Sequence, residues 1–117
     1  MKEYGSESFD VSGDMFILTY ATTAEAGVMY GKVSSKTGKG ISSIKYTVTS
    51  ELMKKWEIGA DDAVKFMSRF AKFYTQVRLA RKDLAKQDEY VFDADFAGTR
   101  PEAVVEKVER EWQSILK

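Results

Sequence analysis

The first half of the chain alternates apolar and polar residues with a period of two, which is the spacing of side chains along a β-strand. Phe9 and Val11 alternate with polar neighbours, and residues 12–14 then supply the polar and glycine residues of a turn. Further strand-like runs lie at 15–20, 28–34 and 41–49. Residues 35–40, between the last two runs, carry two glycines, as hairpin connections often do. This half therefore predicts an antiparallel meander of three to four strands.

After residue 49 the spacing of apolar residues changes from two to three or four, which is the spacing along one side of a helix. Residues 50–56 predict one or two helical turns. Gly59, Asp61 and Asp62 then mark the start of a long helix, because acidic side chains suit the positive end of the helix dipole. We expect this helix to reach about Lys86 and to pack on the sheet through one apolar side. That side consists of Ala63, Phe66, Phe70, Phe73, Tyr74, Val77 and Leu84.

Two elements are predicted after the long helix. In residues 90–96 every second side chain is apolar, and Val91, Asp93 and Asp95 lie between them. This alternation predicts a late strand with one apolar and one partly acidic side. Thr99 and Glu102 have the spacing of a capping box around Pro101, which is tolerated in a first helical turn. A C-terminal helix is therefore expected to start here. Its apolar stripe consists of Val104 or Val105, Val108, Trp112, and Ile115 or Leu116.

Together these elements predict an α+β fold: an antiparallel meander of three to four strands packed by a long helix, plus a late strand and a C-terminal helix. A chain of 117 residues has the usual size of one domain and can bury a sizeable core. We therefore expect residues 1–117 to form a single domain, with residues 1–8 as a candidate flexible tail. Trp56 and Trp112 are expected to be core residues, because both end apolar segments.

The chain contains no cysteine and no histidine. Disulfides, thiolate nucleophiles, imidazole bases and most transition-metal sites are thereby excluded, and we expect no cofactor and no metal. The first seven residues are polar and acidic, unlike a signal peptide, and the apolar run at 15–21 is too short for a membrane span. The expected location is the cytoplasm, and no membrane is expected as a partner.

Charge is segregated along a chain whose net charge is zero. Residues 28–88 carry 13 basic and 6 acidic residues, so this middle part has an excess of positive charge between acidic flanks. The basic residues of the hairpin and of the long helix form the predicted binding surface. They are Lys32, Lys36, Lys39, Lys45, Lys65, Arg69, Lys72, Arg78, Arg81 and Lys82.

Two short motifs in this basic region resemble nucleotide-binding elements only superficially. Gly38 and Lys39 lie between two strands, whereas a phosphate loop needs a following helix, so a hairpin turn is the better interpretation. Residues 30–33, Tyr-Gly-Lys-Val, share an aromatic residue and a glycine with RNA-recognition strands, but the order of elements differs. We expect Tyr30 to pack within the sheet.

Arg81 falls on the apolar side of the predicted long helix, where a guanidinium needs a partner. Asp93 or Asp95 on the late strand is the expected partner, and otherwise Arg81 binds an external anion. The two aspartates share one face of the predicted strand, so they also form a candidate metal or acid-base pair. No third ligand is evident, and pairing with lysines such as Lys45 across the sheet is favoured.

These residues favour a small non-enzymatic module that binds another protein, as an adaptor, inhibitor or assembly subunit. The alternative is a nucleic-acid-binding domain that uses the basic hairpin and the basic side of the helix. A carboxylate-based enzyme is a third hypothesis. Self-association through a sheet edge is open to any of the three. One continuous patch of the ten basic residues would favour nucleic acid, and placement on opposite sides would disfavour it.

Overall fold

The computed structural model describes residues 1–117. The first half of the chain forms four strands, because it contains many β-branched and aromatic residues separated by short polar turns. They are β1 (Lys2–Val11), β2 (Asp14–Thr22), β3 (Val28–Ser35) and β4 (Gly40–Val48). Consecutive strands pair in antiparallel fashion, which confirms the predicted meander. Residues 2–8 belong to β1, so the predicted N-terminal tail was wrong: pairing with β2 orders this segment.

Two helices follow the meander, α1 (Ser50–Trp56) and α2 (Ala60–Ala80). The side chain of Thr49 caps α1 by accepting a hydrogen bond from the backbone N–H of Leu52 at 3.2 Å. Helix α2 ends at Ala80, six residues before the predicted end at Lys86. Lys82 adopts a left-handed conformation with φ of 57°, which ends the helical path.

Strand β5 (Gln87–Phe92) runs parallel to β4 and completes a sheet of order β1-β2-β3-β4-β5. Helix α2 forms the crossover that a parallel pair requires. The predicted strand at 90–96 is thus displaced toward the N-terminus, and Ala94–Phe96 form a single 3₁₀ turn. The side chain of Asp93 accepts from the backbone N–H of Asp95 at 3.0 Å and so ends the strand.

Helix α3 (Pro101–Leu116) completes the chain. Its N-cap residue is Arg100, whose side chain makes no capping hydrogen bond, so the predicted capping box of Thr99 was wrong. Instead, the backbone carbonyl of Thr99 accepts a 2.7 Å hydrogen bond from the indole Nε1 of Trp56. The α1 helix is thereby tied to the start of α3.

The helices share one hydrophobic core with a single face of the sheet. Leu18, Met29, Val33, Ile44 and Tyr46 extend from this face and are almost fully buried. Helix α2 is buried over a broader arc than one apolar stripe, because it contacts both the sheet and α3. Its buried residues are Ala63, Val64, Phe66, Met67, Phe70, Ala71, Thr75, Gln76 and Val77.

Four tyrosines in or beside this core have raised pKa values, chiefly because burial disfavours the phenolate. They are Tyr20, Tyr46, Tyr74 and Tyr90. In the unfolded chain these groups ionise near pH 10.

We therefore expect an alkaline loss of stability. Above about pH 10 the unfolded state releases phenolic protons that the folded state retains, so the free energy of unfolding decreases as pH rises. Thermal melts between about pH 8 and pH 11, with phenolate absorbance recorded in parallel, test this expectation. An unfolding temperature that stays constant while the phenolate signal grows would contradict it.

Candidate functional site

The second face of the sheet is covered by no helix, and we call it the open face. Its side chains alternate with the core residues on every strand. One row of paired residues crosses all five strands, at a strand spacing of about 4.8 Å. This row consists of Ser6, Thr19, Lys32, Ser43 and Gln87.

The neighbouring rows mix apolar, aromatic and charged residues. Tyr30 is half-buried, with Ala21 opposite it on β2 and Lys45 opposite it on β4. Met15 is 41% exposed and Val91 is 39% exposed on the same face. The open face is thus a broad surface of hydroxyl-bearing side chains with scattered apolar and charged side chains of both signs.

The predicted basic residues of the meander lie on or beside the open face. Lys32 is exposed at its centre, and Lys45 is half-exposed in the next row. Lys36 and Lys39 are exposed in the turn between β3 and β4. This turn is closed by the hydroxyl of Ser35, which accepts from the backbone N–H of Lys39 at 3.2 Å.

The basic residues of α2 lie on the other side of the sheet. Lys65 and Arg69 are exposed, and the ammonium of Lys72 lies 3.5 Å from the carboxylate of Glu7 on β1. The same carboxylate accepts a hydrogen bond from the Tyr20 hydroxyl at 2.5 Å. Because the sheet separates α2 from the open face, these lysines and those of the meander do not form one patch.

The basic residues at the end of α2 are engaged in ion pairs. Arg78 contacts Asp83 at 2.9 Å and Glu111 at 3.7 Å, and its guanidinium lies 5.6 Å from the centre of the Tyr74 ring. Arg81 contacts Glu111 of α3 at 2.7 Å, with 47% of its side chain exposed. Lys82 is exposed just beyond the helix.

Arg81 therefore pairs with Glu111 and not with Asp93 or Asp95, so that prediction was wrong. The helix ends before Arg81, which places this residue at the surface and not on the buried side. Asp93 and Asp95 do not share a strand face either, since Asp93 follows β5 and caps the 3₁₀ turn. The strand partner of Lys45 is Glu89.

The acidic residues form no cluster of the kind that binds a metal ion, since no group of three carboxylates that could hold one is present. The cavity between β1 and α2, of about 510 Å³, contains Glu7, Tyr20, Lys72 and Glu109. Burial and the hydrogen bond to Glu7 raise the pKa of Tyr20. None of the helices has the length and apolar character needed to cross a membrane.

A surface hollow on the open face was not predicted from the sequence. It has a volume of about 440 Å³, and its lining includes Thr19, Lys32, Ser34, Ser43 and Lys86. Lys86 was assigned to the end of the long helix, on the side opposite the meander. Only the crossover from α2 to β5 brings it to the open face, and this connection leaves no local signal in the sequence.

Comparisons with protein-family models, with curated proteins and with solved structures found no match.

Proposed function

We propose that the protein is a non-enzymatic module that binds another protein, and that the open face is its binding surface. The observation that supports this most directly is the asymmetry of the sheet, since all three helices pack on one face. The open face offers Tyr30, Ile17, Met15 and Val91 among hydroxyl-bearing side chains. An aromatic anchor surrounded by polar groups is a common composition of transient protein interfaces.

The distribution of charge favours a protein over a nucleic acid as the partner. The open face carries Lys32 and Lys45, but Glu3, Asp10 and Glu89 lie on the same face. A nucleic acid needs a continuous basic track along its phosphates, and its affinity falls steeply with salt. The basic residues of α2 lie on the opposite side of the sheet, so they do not extend such a track across the open face. Nucleic acid is therefore the second candidate.

The proposal predicts that changes on the open face weaken partner binding strongly without unfolding the protein. Tyr30→Glu combined with Lys32→Glu alters the centre of this face. We expect retention of the partner from a lysate of the source organism to fall about tenfold or more, because an anchor and a charge are both lost. Quantitative mass spectrometry after affinity capture measures the retention.

The matched control is Lys107→Glu combined with Gln113→Glu, two exposed positions of α3 on the other side of the molecule. It changes the net charge by the same three units, and we expect unchanged retention. Unfolding temperatures within about 3 °C of the unmodified chain show that the variants are folded. Equal retention by the open-face variant and the control would contradict the proposal. Capture that depends on nucleic acid and disappears after nuclease treatment would favour the second candidate.

A further inference from the structure

The hollow of the open face differs in charge from four other cavities of the molecule. Its lining contains two lysines, Lys32 and Lys86, and no carboxylate. Four other cavities each contain at least two carboxylates or a carboxylate beside a basic residue. Neither lysine takes part in an ion pair. Both ammonium groups are therefore free to meet an anion.

Hydroxyl-bearing residues line the same hollow beside the apolar Val33 and Ile41. Thr19, Ser34 and Ser43 line it, and none of their hydroxyls has a hydrogen-bond partner within the protein. The amide of Gln87 adds two further N–H donors. A phosphate monoester presents three terminal oxygens, which can accept from the lysine ammonium groups and a neighbouring hydroxyl at once, whereas a planar carboxylate presents two.

The backbone holds this arrangement in place. Thr19, Lys32, Ser43 and Gln87 are consecutive partners on β2, β3, β4 and β5, so the sheet fixes their order and spacing. Lys86 precedes β5 in a connection that is hydrogen-bonded to β4. The Ser42 hydroxyl donates to the carbonyl of Ala85 at 2.6 Å, and the backbone N–H of Ser43 donates to the carbonyl of Lys86 at 3.0 Å.

From this geometry we propose that the hollow binds a phosphoryl group, carried as a phosphate monoester on the partner protein. The identity of the carrier rests on the proposed function, and the phosphate site rests on the lining alone. A monoester carries close to two negative charges at neutral pH, which matches two unpaired lysines. A nucleic acid fits less well, because Glu89 lies in the next row and would repel an extended phosphate backbone.

The first test is a titration of the isotopically labelled full chain with O-phosphoserine at constant ionic strength, monitored through backbone amide shifts. We expect saturable shifts at Thr19, Ser34 and Ser43, and no such shifts with serine. Lys32→Gln and Lys86→Gln should each weaken binding about fivefold, through loss of one charge contact at a partly exposed site. Thr19→Val keeps the side-chain shape, removes a donor, and should weaken binding about threefold.

The matched control is Lys107→Gln, an exposed lysine of α3 without an ion pair, which should leave the affinity unchanged. Shifts that do not saturate, or equal weakening by Lys107→Gln and the two hollow variants, would overturn the phosphate site. Inorganic phosphate serves as a second probe. If it binds about tenfold more tightly than O-phosphoserine, the ligand is the free ion and the carrier assignment is wrong.

A second test separates this inference from the proposed function. The captured partner is treated with phosphatase and offered again to the unmodified chain. Loss of retention by about tenfold or more supports a phosphorylated partner. Undiminished retention that remains sensitive to Tyr30→Glu with Lys32→Glu would overturn the phosphate inference and leave the open face as the binding surface. Retention insensitive to both treatments would overturn both.

Discussion

Phe92→Ala is expected to lower the free energy of unfolding by about 3–5 kcal/mol, the range typical of a buried aromatic ring replaced by alanine. The Phe92 side chain is fully buried at the end of β5. Its ring centre lies 4.8 Å from that of Phe66 and 5.0 Å from that of Phe70, both on α2, and 5.1 Å from that of Phe96. Removal of the ring leaves a cavity where the sheet, α2 and the turn before α3 meet.

Chemical denaturation with guanidinium or urea measures the effect. A loss of this size is a large part of the stability of an ordinary domain, about 5–15 kcal/mol in total. The control is Val91→Ala, the preceding residue on the open face, which is 39% exposed and should cost less than about 1 kcal/mol. Equal losses for both variants would mean that the two faces of β5 are not distinguished by burial, contrary to the fold described above.

Gly27→Ala is expected to lower the free energy of unfolding by about 2–4 kcal/mol, from two causes that add. Gly27 has φ of 78°, in a region that a residue with a Cβ rarely adopts. A Cβ at this position would also overlap the backbone carbonyl oxygen of Val48 and lie 3.0 Å from Cε of Met53. The carbonyl of Gly27 accepts from the N–H of Val48 at 2.8 Å, so the loop cannot withdraw without loss of this hydrogen bond.

Gly38→Ala separates the two causes. Gly38 has φ of 91°, but a Cβ there would have open space around it. We expect this variant to show only the conformational cost, about 1–2 kcal/mol. Thermal or chemical unfolding of both variants gives the difference. A Gly27→Ala variant no less stable than Gly38→Ala would contradict the close approach of the β2–β3 loop to β4.

The class of fold was predictable because its signals are local. Alternation in the first half of the chain gave the strands, and the spacing of Phe66, Phe70 and Val77 gave the core side of α2. The end of α2 was not predictable from this spacing, because Leu84 continues the apolar pattern past the last helical residue, Ala80. The left-handed conformation of Lys82 is not marked by a glycine or asparagine, which are the residues that signal such an ending.

Pairing between distant segments was the main source of error in the predicted site. The sequence contains no signal that β5 pairs with β4 in parallel, and this pairing brings Lys86 to the hollow that Lys32 also lines, two strands away. The sequence left open whether the lysines of the meander and those of α2 form one patch, and the sheet separates them. Arg81 was paired with Asp93 or Asp95 on the following strand, whereas its carboxylate partner is Glu111 of α3. Such contacts depend on tertiary packing and not on local pattern.

Hydroxyl-radical footprinting of the free protein and of its complex with the captured partner tests the role of the open face most directly. We expect oxidation of Tyr30 and Met15 to decrease in the complex, because both lie on the open face. Oxidation of Leu116 on α3, which is 65% exposed, should remain unchanged. Protection of Leu116 with undiminished oxidation of Tyr30 and Met15 would place the partner on the helical side and contradict the proposed function.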